Sequence, residues 1–158
     1  MISVVAVGRM KEKAFRQMAD EYLKRLRRYG KYEEVELPDL PEREGASPAE
    51  EEKIREKEGE EILGRLHPGD RVIALTIGGR QRSSEDFARE LSEWKIRGGG
   101  RLVFIVGGSL GLGTNVLKRA DGEMSMGPMT FPHQLARVML LEQLYRAEKI
   151  NAGERYHK

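Results

Sequence analysis

Apolar positions along the chain switch between two periods. Ile2–Val7, apolar but for Ser3, is a continuous run ending at Gly8, the pattern of a strand buried on both faces. Residues 12–29 then space Phe15, Met18, Ala19, Tyr22, Leu23 and Leu26 as one helical stripe. Tyr32–Leu37 alternates as a second strand, and Pro38, Pro41 and Gly45 mark a loop. Ser47-Pro48-Ala49-Glu50 is a helix start: serine as N-cap, proline in the first turn, glutamate closing a capping box. That helix is expected to run to about Leu66 and stop at His67-Pro68-Gly69-Asp70. Arg71–Ile77 is a third strand, broken by Gly78-Gly79. Ser83 or Ser84 caps a helix carrying Phe87, Ala88, Leu91 and Trp94, which Gly98-Gly99-Gly100 ends. Arg101–Val106 is a fourth strand, residues 107–113 a glycine loop, 114–120 a short helix and 122–126 a weak strand. A final helix spans about His133 to Ile150, with Leu135, Val138, Met139, Leu141, Leu144 and Tyr145 as core candidates, and a polar tail Asn151–Lys158 follows.

Strands alternating with helices predict a single α/β domain, a mainly parallel sheet with helices on both faces. Ligands in such sheets bind beyond the carboxyl ends of the strands, which points to the loops after Ile77, Val106 and Met126. The final helix also carries Leu140, Leu141 and Leu144 beside Met139 and Tyr145. That is more apolar surface than one small domain is expected to cover, so one side should meet a second copy.

Composition narrows the class. The chain has 158 residues, 39% hydrophobic and 34% charged, one domain by length. No apolar run approaches the ~20 residues that span a bilayer. There is no cysteine, which excludes disulfide scaffolds, thiolate metal sites and thiol nucleophiles. The histidines, at 67, 133 and 157, do not pair at ligand spacing, so no metal is expected. The start of the chain lacks a basic leader, and a cytoplasmic, bacterial-type protein is expected. The net charge of +2 hides an asymmetry. Residues 1–32 carry nine Lys/Arg against three Asp/Glu, residues 33–70 five against fourteen, and residues 71–158 fourteen against nine. Such a dipolar surface can attract a polyanion on one side.

The richest local feature is Val106-Gly107-Gly108-Ser109-Leu110-Gly111-Leu112-Gly113. Glycine allows sharp turns and close approach of a ligand, and a β-branched side chain at Gly107 is expected to fill the ligand's space. The spacing matches neither a dinucleotide fingerprint nor a P-loop. Gly107-Gly108-Ser109-Leu110-Gly111 does match the nucleophile elbow, with Asp121 and His133 in the chain order of a serine hydrolase. Asp121 lies only twelve residues beyond Ser109, and no oxyanion loop of the hydrolase kind is present. Pro132 fixes the entry to the last helix, which Thr130 or His133 can cap. In the tail, Arg155 suits a phosphate, Tyr156 an unpaired base and His157 a proton transfer. Lying beyond the last helix, these residues are expected to reach outward, or across a dimer.

The combined motifs resemble the bacterial large-subunit ribosomal RNA methyltransferase H family, small members of the SPOUT class. The likeness rests on Val106–Leu112, on Met129-Thr130-Phe131-Pro132-His133-Gln134-Leu135-Ala136-Arg137-Val138, on Leu141–Ala147 and on the terminal Gly153…Tyr156-His157-Lys158. Val5–Gly8 and Lys57-Glu58-Gly59 add to it. The resemblance implies a trefoil knot over about residues 72–158, a homodimer, and S-adenosylmethionine bound in the knot. It implies methylation of N3 of a pseudouridine in 23S rRNA on the assembled ribosome. It assigns cofactor contacts to Leu75, Gly107, Gly108, Met126, Gly127, Pro128, Met129, Thr130 and Phe131, and RNA-facing roles to Arg155, Tyr156 and His157. His133 is a rival proton acceptor. Gly127-Pro128 and Thr76–Gly79 depart from the more polar residues usual in the family. The alternatives by residue chemistry are a non-catalytic ribosome-binding module and a hydrolase using Ser109.

Overall fold

The computed structural model describes residues 1–97 and 99–157. Gly98 of the expected helix-ending glycine run and Lys158 of the tail lie outside them. The elements are β1 (Ile2–Val7), α1 (Lys13–Leu26), β2 (Tyr32–Leu37), α2 (Pro48–Leu63) and β3 (Arg71–Gln81), then α3 (Ser84–Arg97), β4 (Leu102–Val106), α4 (Thr114–Arg119), β5 (Gly122–Ser125) and α5 (His133–Asn151). The strands form one sheet in the order β2-β1-β4-β3-β5, and every pairing is parallel.

Strand pleating sorts the core into two layers, because successive side chains face opposite ways. Val4, Ala6, Leu102 and Phe104 point to the face covered by α1, α3 and α5, where Leu26, Leu91, Leu141 and Leu144 meet them. Val5, Val7, Val103 and Ile105 point to the other face, against Ile62 of α2 and Val116 of α4. Burial on both faces explains why β4, and β1 apart from Ser3, read as apolar runs without alternation. The capping box at α2 forms as expected: the Glu50 N–H donates to Ser47 Oγ, and the Ser47 N–H donates to the Glu50 carboxylate.

Three expectations change. The third strand does not end at Gly78-Gly79: it resumes and runs to Gln81. Leu75 and Arg80 both lie opposite Met124, so the intervening residues leave the ladder as a bulge. The apolar wealth of α5 is used within the chain, since Leu140, Leu141 and Leu144 are fully buried and Tyr145 nearly so; those residues therefore offer no face to a second copy. Leu135 and Met139, expected in the core, are only half-buried.

The first turns of α5 are fixed by a buried cation. Arg137 is fully buried and donates from Nη1 to the Gly8 carbonyl at 2.8 Å and from Nη2 to Glu36 at 2.5 Å. Its Nε lies 3.1 Å from Glu34 Oε1, but off the direction of a hydrogen bond, so both atoms lack a hydrogen-bond partner; the contact is electrostatic. Arg16 of α1 joins the same carboxylates, 2.6 Å from Glu34 and 3.3 Å from Glu36. Burial works to raise Glu36, but the Met10 N–H and the two guanidiniums outweigh it and hold Glu36 below the usual carboxylate range. Replacing Arg137 by Leu removes the buried partner of Glu34 and Glu36 and leaves them to Arg16 alone, a class of change that costs about 3–5 kcal/mol. Urea unfolding should register a loss of that size, while Arg89→Ala, removing an exposed pair with Asp86, should stay within about 0.5 kcal/mol.

Candidate functional site

The carboxyl ends of β3 and β4 and the segment after β5 enclose a cavity of about 870 Å³. Parallel strands deliver their loops to this end. The bulge of β3 contributes Thr76 and Ile77, the glycine loop contributes residues 107–112, and Met126, Gly127 and Met129–Pro132 close the far side. The amino-terminal turn of α5 adds His133 and Ala136.

The glycine loop turns back on itself. Gly111, with φ +83°, donates its N–H to the Gly108 carbonyl at 3.0 Å. A Cβ on Gly107 would lie 2.7 Å from the Gly111 carbonyl carbon. The expectation for a Gly107 substitution therefore shifts: a side chain there first breaks the loop, before any ligand is considered. After β5, Ser125 Oγ accepts the Gly127 N–H at 3.1 Å, and Gly127 takes φ +129°. The Gly127-Pro128 departure is thus accommodated by a backbone turn held by Ser125.

Of the nine residues expected to contact a cofactor, Leu75, Gly107, Gly108, Met126, Gly127, Met129, Thr130 and Phe131 line this one cavity; Pro128 is exposed and does not. The sequence reading missed Leu110, Leu112, Leu117 and Ala136. Ala136 was detectable, since it sits one helical turn beyond the proline that opens the helix. Leu117 carries no sequence signal beyond an apolar position in a short helix.

His133 lines the cavity beside Gly8, where a Cβ would lie 3.2 Å from the His133 Nε2. Neither Thr130 nor His133 caps α5; the N-cap is Pro132, with no side-chain cap bond. Burial, with Arg137 and Lys11 nearby, pushes His133 below its ordinary value, against the opposing pull of Asp39. Ser109 and His133 share the cavity, but no hydrogen bond joins them among the described residues. Asp121 stands at the opposite end of the sheet, accepting the Val72 N–H at 2.7 Å and pairing with Arg119. The hydrolase triad is not assembled.

The tail corrects another expectation. Instead of reaching outward, Tyr156 packs on Tyr145 with ring centroids 4.9 Å apart, and its hydroxyl donates to Glu142 at 3.1 Å. His157 Nε2 lies 2.7 Å from Glu85 and its Nδ1 3.3 Å from Arg146. Arg155 is exposed. None of the three lines the cavity. Among the described residues no cluster of His, Asp and Glu could hold a metal ion, and no helix is long and apolar enough to cross a membrane.

Comparison with known proteins adds the chemical class. A family model described as predicted SPOUT methyltransferase matches residues 1–157. A protein of Carboxydothermus hydrogenoformans named ribosomal RNA large subunit methyltransferase H is 51% identical over 157 residues, 99% of both chains. Proteins of the same name from Clostridioides difficile and an Exiguobacterium strain are 50% and 48% identical over the same share.

The depressed His133 gives a signed pH dependence. Its stabilising contribution is complete above the ordinary histidine value near 6.5. It declines as pH falls below that value, because the unfolded chain takes up a proton that the folded one resists. Urea unfolding from pH 7.5 to 5.5 should show His133→Gln losing stability less steeply than the parent. Parallel slopes would contradict the burial argument.

Proposed function

The chain belongs to the SPOUT methyltransferase family as a ribosomal RNA methyltransferase, and we propose that it takes its methyl group from S-adenosylmethionine. The acceptor is N3 of a pseudouridine in 23S rRNA of the assembled ribosome, in the cytoplasm. The observation that carries this reading is the single cavity at the carboxyl ends of the strands, which gathers the glycine loop, Leu75 and the 126–131 segment. Its volume is in the range of small-molecule sites. Leu75, Met126 and Phe131 offer apolar flanks to an adenine ring, and the Gly107–Gly108 backbone lets a ribose or carboxylate come close.

S-adenosylmethionine supplies an activated methyl group on a sulfonium. The protein's task is to align the acceptor, and alignment is among the larger sources of rate enhancement. The imide at N3 must also lose a proton. His133, held neutral at the cavity wall, can accept it. Arg155, Tyr156 and His157 carry the RNA-facing roles, and their placement supports a homodimer. Tyr156 packs at Tyr145, nine residues along α5 from Ala136, about 14 Å at helical rise. A tail so placed serves a partner's cavity more readily than its own. Ile77 and Met129, large apolar side chains exposed at the cavity rim, support a covering second copy. The trefoil knot over about residues 72–158 belongs to the same proposal. The passage from α4 on one face, around β5 beyond β3, to α5 on the other supports it.

Calorimetry separates this enzyme from a non-catalytic ribosome-binding module. The wild-type chain should bind S-adenosylmethionine in the micromolar range, and Ala136→Trp, filling the cavity from the helix side, should abolish binding in a protein of unchanged circular dichroism. No binding to the wild type, or full affinity in the variant, contradicts the assignment. Removing residues 155–158 should leave cofactor affinity and dimer mass intact while methylation of ribosomes falls by about ten- to a hundredfold, the size of a lost base stack of about 1–3 kcal/mol. Retained activity would return the tail to a structural role.

A further inference from the structure

A second cavity of about 470 Å³ opens at the other end of the sheet, at the amino-terminal ends of β1, β3 and β4. Leu102 and Val106, the two ends of β4, line the two cavities. They are therefore separated by about 13 Å of strand. The methyl-transfer chemistry uses nothing in this second cavity.

Its wall carries Lys31, Arg71, Lys95, Arg97 and Arg101 against the carboxylates of Asp70 and Asp121. The acids are already committed. Asp70 lies 2.6 Å from Arg101 Nη2 and accepts the His67 N–H at 2.8 Å. Burial works against its charge, but those donors hold it below the usual aspartate range, so it stays ionised and neutralises Arg101. Asp121 is engaged by the Val72 N–H and Arg119. Lys95 is neutralised by Glu148 at 2.7 Å.

Arg97 faces Glu93 at 3.7 Å, and two cations remain without a carboxylate among the described residues. Lys31 is exposed. Arg71 lays its guanidinium over the Trp94 ring, 5.6 Å from the centroid. Its Nε is buried and has no hydrogen-bond partner. A guanidinium within about 6 Å of an aromatic centroid gains a cation–π attraction that helps to order its stem. Half-buried Arg71 and exposed Lys31 line the same cavity, and two cations without a carboxylate on one concave wall favour an anion there.

We propose that this cavity binds a phosphate of the RNA substrate, through Arg71 and Lys31, and so anchors the ribosome some 13 Å of strand away from the methyl-transfer cavity. The inference rests on the reading of ribosomal RNA as substrate. A phosphate could equally come from a free nucleotide, and the measurements below separate the two. Phosphate contacts position a nucleic acid without reading its sequence, which suits a site remote from the reacting base.

The test uses Lys31→Glu and Arg71→Gln in the full chain, with ribosomes as substrate. Lys31 is exposed, so its variant should fold even if the Arg71 variant does not. We expect the KM for ribosomes to rise about tenfold, with kcat and S-adenosylmethionine affinity unchanged. The salt slope of binding to an RNA oligonucleotide should fall by about one for each cation removed. A parental KM and salt slope in the folded Lys31 variant overturns the proposal. Saturable binding of AMP that Lys31→Glu removes, with the KM for ribosomes unmoved, also overturns it and assigns the cavity to a free nucleotide. Failure of the wild type to bind S-adenosylmethionine would strike the methyltransferase reading instead, and the oligonucleotide salt slope would still report on this cavity.

Discussion

The arrangement depends on one buried cation. Arg137 carries its full charge into the interior and is tolerated there because two glutamates of β2 and the Gly8 carbonyl meet it. An unpaired charge at that depth would be prohibitive, so the contacts impose a position. They pin the start of α5 to the ends of β1 and β2. His133, one turn before Arg137, and Ala136, its neighbour, are thereby set at the cavity wall. The same carboxylates hold Arg16 of α1, so α1, β1, β2 and α5 share one electrostatic joint.

A second constraint is close approach at the sheet's carboxyl end. The Gly107–Gly111 turn leaves no room for a Cβ at Gly107, and the β3 bulge brings Gly79 within 2.7 Å, as a Cβ would measure it, of the Met124 amide. Glycine at both places lets three segments converge without side chains between them. The cavity is lined mainly by apolar side chains such as Leu75, Met126 and Phe131, with glycine turns between them, so its fit to a ligand depends little on polar side chains at 127–128. That explains how Gly127-Pro128 can replace more polar residues.

The layers of the fold were legible because buried parallel strands and amphipathic helices write different periods: Ile2–Val7 and Arg101–Val106 against the stripe of residues 12–29. The capping box at Ser47 needed only four residues. The glycine loop and the 126–131 segment were legible as candidates, while their meeting around one cavity is a property of strand order. Two failures have a physical cause. Gly78-Gly79 breaks the period of a strand equally when the strand ends and when it bulges. The leucines of α5 look like surplus until the sheet and α1 and α3 are packed on them. The commitment of Tyr156 and His157 to Glu142, Arg146 and Glu85 is a long-range pairing that no local pattern announces.

The proposed methyl donor belongs at the carboxyl ends of the strands. Photocrosslinking of radiolabelled S-adenosylmethionine to the intact protein, followed by tryptic mapping, tests it directly. Saturable label is expected in the peptides Leu102–Lys118 and Ala120–Arg137, competed by the demethylated product. Label confined to Tyr29–Lys31 or Glu90–Lys95, at the opposite cavity, would contradict it.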